Sequence, residues 1–89
     1  DRYLAYAQSG NAAVSVTLPG ASRPLIAGSF TEWGAVPMFE AGDGRWTRSF
    51  HLRRGRYEYK LIVDGEWMTD PGNPETMVDP EGHVNSVLV

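Results

Sequence analysis

The stretch Tyr57-Glu58-Tyr59-Lys60-Leu61-Ile62-Val63-Asp64-Gly65-Glu66-Trp67 constrains this chain more than any other. Tyr57, Tyr59, Leu61 and Val63 recur at period two, while Arg56, Glu58 and Lys60 take the alternate positions. Successive side chains of a strand point to opposite faces, so this alternation predicts a half-buried strand. Asp64-Gly65 then reads as a two-residue hairpin turn, whose type I′ geometry needs positive φ. The return brings Trp67 beside the Lys60–Ile62 side of the strand. A long cation and a flat aromatic then share an outward face.

The rest of the chain supplies short strands to pack under this hairpin. Ala13 to Leu18 alternates, with Val14, Val16 and Leu18 predicted inward, and Pro19-Gly20 ends it. Arg23 to Gly28 is the next strand, with Pro24 at its start because proline lacks an amide donor. Gly28 to Gly34 is a structured loop, with Phe30 predicted inward and Trp33 at the surface. Val36-Pro37-Met38 is a short extended piece, and Ala41 to Gly44 a turn. Arg45 to Leu52 is a strand with Trp46, Phe50 and Leu52 inward. Arg48 shares that inward side and is expected near the sheet edge, stem packed and head in water.

The stretch from Met68 through Gly82 reads as one long loop, and Asn85 to Val89 as the closing strand. Residues 1–11 are a linker or an edge strand, and residues 12–89 the domain proper. No segment carries a sustained helical period. Short strands with turn signals every ~8–12 residues predict an all-β sandwich.

Composition narrows the function classes. At 89 residues the chain suits one domain with a modest core. It has no cysteine, which excludes a disulfide framework and a thiolate metal site and leaves the compartment open. No apolar run is long enough to span a membrane as a helix, and the first residues lack a signal-peptide pattern. The chain begins at Asp1 without a methionine, so a longer parent with a covalently linked neighbouring domain is expected. A net charge of −3 argues against nucleic acid, whose phosphates demand a basic surface. The basic cluster Arg53-Arg54-Gly55-Arg56 falls at a turn and reads as solvated.

The catalytic inventory is thin. His51 and Ser49 share a strand face, but nothing orients the imidazole as a base. Asp64, Glu66, Asp70 and Asp79 are the acidic set, yet a sandwich this small offers no deep cleft for paired-carboxylate glycoside hydrolysis. No Asp-x-Asp-x-Asp-Gly loop signals calcium. His83 with Asp79 and Glu81 has transition-metal chemistry, but a polar loop is the commoner meaning. The expectation is no enzyme, no cofactor and no metal. The aromatics say more. Trp46, Phe50, Tyr57 and Tyr59 fill a core by periodicity, whereas Trp33 and Trp67 lie among polar residues. Flat indole faces suit the apolar C–H faces of sugar rings, and Lys60 and Asn85 could bond the hydroxyls at the rim.

Taken together, several motifs in order resemble carbohydrate-binding module family 48. They are Gly28-Ser29-Phe30-Thr31-Glu32-Trp33, Val36-Pro37-Met38, Gly44-x-Trp46, Gly55-x-Tyr57-x-Tyr59-Lys60-Leu61-Ile62-Val63-Asp64-Gly65-x-Trp67, Asp70-Pro71-x-x-Pro74 and Gly82-x-x-Asn85-Ser86-Val87. The family includes the glycogen-binding domain of the AMP-activated protein kinase β subunit and the N-terminal sandwich of isoamylases and branching enzymes.

The resemblance implies an immunoglobulin-like, early-set β-sandwich that binds α-1,4-glucans such as glycogen, starch or maltooligosaccharides without catalysis. It also implies the roles of individual residues. Trp33 and Trp67 would stack on glucose rings, and Lys60 and Asn85 would hydrogen-bond the sugar. Where the kinase-type domain has a leucine finger and a threonine, this chain has Glu81 and His83. The apolar finger is thus absent, and His83 could still bond a hydroxyl. The competing expectation is an interaction domain that packs on a catalytic or regulatory partner, with the same aromatics as interface anchors.

Overall fold

The computed structural model describes residues 11–89. The expected linker or edge strand at residues 1–11 lies outside the described residues except for Asn11. At the centre stands β6 (Tyr57–Val63), the longest strand. One of its edges pairs with β2 (Leu25–Gly28) from Tyr59 to Ile62. The other edge is shared. Tyr57 to Tyr59 pair with β9 (Val84–Leu88), and Leu61 to Val63 pair with β7 (Glu66–Met68). The turn between β6 and β7 has Asp64 at φ 52° and Gly65 at φ 83°, the positive values a two-residue hairpin requires.

Two short strands extend this sheet: β3 (Val36–Pro37) beside β2, and β8 (Thr76–Val78) beside β9. A second, three-stranded antiparallel sheet has the order β1 (Ala12–Thr17), β5 (Arg45–Phe50), β4 (Phe39–Gly42). Core residues come from both sheets. Val14, Val16 and Leu18 from β1 and its exit meet Ile26, Tyr59 and Leu61 from β2 and β6, with Met38 between. Each fully buried side chain of this size contributes about 1.5–3 kcal/mol relative to exposure. Phe30 joins the layers edge-on, with ring centroids 4.6 Å from Phe50 and 5.8 Å from Tyr57. The molecule is therefore the all-β sandwich that the strand spacing predicts.

Three expectations need correction. Arg48 does not hold its head in water: the residue is 7% exposed. Its strand is the middle one of its sheet, so an inward side chain there has no edge to escape past. The guanidinium finds partners inside instead. Nη1 donates to the Pro37 carbonyl at 2.8 Å, and the group lies 5.2 Å from the Phe39 ring centroid and 5.7 Å from that of Phe50. Second, the stretch from Met68 to Gly82 is not all loop, because Thr76–Val78 forms β8. All three of its residues are exposed, so it carries no inward-outward contrast to betray it. Third, the turn expected at Ala41 to Gly44 is shorter, because Phe39–Gly42 is β4 and the reversal falls on Asp43 and Gly44.

The fork where β9 and β7 part along β6 is closed by a buried polar cluster. The chain leaving β7 reaches Asp70, which is 5% exposed. Its backbone N–H donates to the Ser86 hydroxyl at 2.8 Å. The Tyr59 hydroxyl donates to Asp70 Oδ2 at 2.7 Å, and the Gly72 N–H donates to Oδ1 at 2.9 Å. Asn73 Nδ2 donates to the Tyr59 oxygen at 3.1 Å and to the Val87 carbonyl at 2.8 Å. Burial first, and then the bond to Asp70, hold the Tyr59 phenol well above its ordinary pKa, so it stays a donor.

Candidate functional site

Strand parity sets out the outer face of the larger sheet. Tyr59 and Leu61 face the core, so Glu58, Lys60 and Ile62 face away from it. The register extends this face sideways. Trp67 stands directly opposite Ile62, and Met77 opposite Asn85, which lies two residues from Val87, the partner of Glu58.

Trp33 reaches the same face from a loop. The short 3₁₀ turn Ser29–Thr31 follows β2, and Glu32 and Trp33 then take φ 55° and 60°. L-residues avoid that region, at a cost of about 1–2 kcal/mol each. Local bonds hold it in place. Trp33 N–H donates to Gly28 O at 2.9 Å, Gly34 N–H to Thr31 O at 3.0 Å, and Gly28 N–H to the Thr31 hydroxyl at 3.0 Å. The Glu58 N–H donates to the Ser29 hydroxyl at 3.2 Å, which ties the loop to β6. Gly28 allows the close approach. A Cβ there would sit 2.6 Å from the Phe30 ring and 2.7 Å from the Glu58 carbonyl.

The loop before β9 forms the opposite wall. Asp79 Oδ1 accepts the N–H groups of Glu81 and His83, both at 2.9 Å, and the Asp79 N–H donates to His83 O at 2.8 Å. These bonds, with the His83 N–H foremost, hold the Asp79 carboxyl below its ordinary pKa. His83 Nδ1 lies 3.4 Å from Asp79 Oδ2 and 3.8 Å from Glu81 Oε2. The three side chains bring metal-ligating atoms within 4.8 Å of one another. One Asp79 oxygen is already engaged twice by backbone, which suits a loop-organising role.

These walls enclose an open cleft of about 660 Å³. Trp33, Lys60, Trp67, His83 and Asn85, the site residues expected from the sequence, all line it. Trp33 is 41% exposed and Trp67 is 53% exposed, so neither indole belongs to the core. Asn85 is the exception in exposure, at 3%. It forms the floor rather than an outer rim. Ser29, Glu58 and Pro80 line the cleft as well and are not singled out by the sequence, and Asp79 and Glu81, weighed there only as acidic groups, join them. The parity that selected Lys60 also selects Glu58, two residues earlier on the same strand face. Arg53 and Arg54 lie elsewhere, along a separate groove with Leu52, Tyr57, Leu88 and Val89.

A small β-sandwich with an open, aromatic-walled cleft on one sheet face is the architecture of a binding module. The chain belongs to the family described as the glycogen recognition site of AMP-activated protein kinase, which it matches over residues 13–89. That family is one of carbohydrate-binding modules, which bind and do not catalyse.

Relatives include the chloroplastic protein FLOURY ENDOSPERM 6 of Oryza sativa subsp. japonica, 41% identical over 69 residues, covering 76% of this chain and 13% of that protein. An amyloplastic phosphoglucan phosphatase of Castanea sativa is 40% identical over 72 residues, covering 79% of this chain and 19% of that protein. The AMP-activated protein kinase subunit beta-1 of Sus scrofa is 29% identical over 69 residues, covering 78% and 55%. The chain thus corresponds to a part of each of these proteins. Among the described residues, no helix is long and apolar enough to cross a membrane.

Proposed function

We propose that this chain binds α-1,4-linked glucans such as glycogen, starch or maltooligosaccharides, as a non-catalytic module of a larger protein. Trp33 and Trp67 are the stacking faces. Lys60, His83 and Asn85 hydrogen-bond the sugar hydroxyls. The observation that carries this reading is convergence: residues from a loop, two hairpin strands and the closing strand with its entry loop line one cleft. A core needs no such meeting of exposed aromatics, and two half-exposed indoles flanking polar groups suit amphipathic rings.

Stacking on an aromatic platform is worth roughly 1–3 kcal/mol per ring, by analogy with nucleobases. Two platforms place the affinity in about the micromolar to millimolar range. Such a module acts by raising the local concentration of a linked domain on the polymer.

The test is a titration with maltoheptaose followed by tryptophan fluorescence. The expected result is saturable quenching, weakened about ten-fold or more by Trp33→Ala and by Trp67→Ala, with the folded spectrum kept. A folded protein that gives no response would favour the interaction-domain reading, with the indoles as anchors for a partner surface.

A further inference from the structure

Asn85 is nearly sealed, yet its amide is held in one orientation by two carboxylates. Nδ2 donates to Glu58 Oε1 at 3.0 Å and lies 3.5 Å from Asp79 Oδ2. Ionised carboxylates accept and do not donate, so the NH₂ end of the amide must face them. The flipped amide would set its carbonyl oxygen against two anions. Both amide N–H groups are thereby occupied from within the protein. Among the described residues none donates to Asn85 Oδ1, and that oxygen is not sealed from solvent. The residue lines the cleft, so its free capacity is that of an acceptor.

We infer that Glu58, assisted by Asp79, is a positioning residue that locks the Asn85 amide so that Oδ1 accepts a hydrogen bond from a sugar hydroxyl. The inference rests on the glucan-binding reading above and deepens it. It assigns the floor of the cleft a polarity, in which the glucan donates there. Lys60 has donors and no acceptor, so Lys60 and Asn85 make opposite demands on the sugar. A chain whose hydroxyls are methylated or acylated at the floor position loses the proton it must give. The polarity follows from parity along β6: Glu58 and Lys60 share the outer face, and β9 brings Asn85 beside Glu58.

The experiment is a double-mutant cycle on the full chain, with maltoheptaose affinity measured by titration calorimetry. Glu58→Gln replaces the obligate acceptor with a group that can meet the amide in either orientation. It is expected to weaken binding about five-fold, the size of one net hydrogen bond. In the Asn85→Ala background the same change is expected to do nothing, because Glu58 acts through Asn85.

A second readout is the side-chain amide signal of Asn85 by NMR. It should be displaced by the carboxylate in the native protein and move toward the free-amide position in Glu58→Gln. Equal losses in both backgrounds would mean that Glu58 touches the glucan itself, overturning the inference. So would an unchanged affinity and an unmoved amide signal in Glu58→Gln while Trp67→Ala still abolishes binding. If Trp67→Ala leaves binding intact, the cleft itself is wrongly assigned, a failure distinct from the other two.

Discussion

Replacing Tyr59 with phenylalanine separates the fold from the cleft. The Tyr59 ring is 2% exposed and faces the core, on the opposite side of β6 from Lys60. Tyr59→Phe keeps the ring and removes one oxygen. Asp70 Oδ2 then loses its donor at 2.7 Å, inside a site where Asp70 is 5% exposed. Asn73 loses one partner at 3.1 Å but keeps the Val87 carbonyl at 2.8 Å. The loss is therefore dominated by one charge-assisted bond, worth about 1.5–3 kcal/mol when the acceptor stays buried. A small domain has roughly 5–15 kcal/mol in all, so the effect is large.

At about 4–8 °C per kcal/mol for a domain of this size, Tm should fall by roughly 6–24 °C. Thermal and urea melts followed by circular dichroism measure this. Below the transition, maltoheptaose affinity should match the native protein within about two-fold, because no cleft residue is touched. A Tm loss under about 4 °C would show that the cluster does not close the fork between β7 and β9. An affinity loss in the folded variant would show that the two faces of the sheet are coupled.

Two further outcomes follow from the cleft walls. Gly28→Ala places a methyl 2.7 Å from the Glu58 carbonyl, a backbone atom that cannot step aside cheaply. It should cost about 1–3 kcal/mol in urea melts and weaken glucan binding as well, since Gly28 O holds the Trp33 N–H. The Asp79 pKa is lowered in the folded state, so its stabilising contribution is present above the ordinary carboxyl range and lost as pH falls through the lowered value. The difference in urea midpoint between the native protein and Asp79→Ala should thus be constant near neutrality and begin to narrow below about pH 4. A gap that does not narrow at all as pH falls below the ordinary carboxyl range would refute the role given to that carboxylate.

The legible parts of this molecule are those where burial alternates. Tyr59 and Leu61, or Val14 and Val16, announce their strands because each inward residue has an outward neighbour of opposite character. Strand β8 stayed hidden because every residue in it is exposed, and β4 because its one large apolar residue, Phe39, is half buried. The burial of Arg48 is not legible because periodicity gives a side and not a position in the sheet. Whether a strand is central or at an edge is decided by pairing partners far away in sequence. The cleft was legible in its aromatics, which stand out among polar neighbours, and through the family resemblance. Glu58 was not, because a glutamate on an outward strand face looks like any solvated residue until β9 sets Asn85 against it.

The left-handed backbone at Trp33 bears on how the cleft meets a visitor. The unfavourable geometry is incurred when the chain folds and is locked by the Gly28 and Thr31 bonds, so it does not recur at each encounter. The indole is thereby preorganised, with little loop entropy left to surrender on association. A shallow, solvent-swept groove can then hold a flexible polymer while changing its own shape hardly at all.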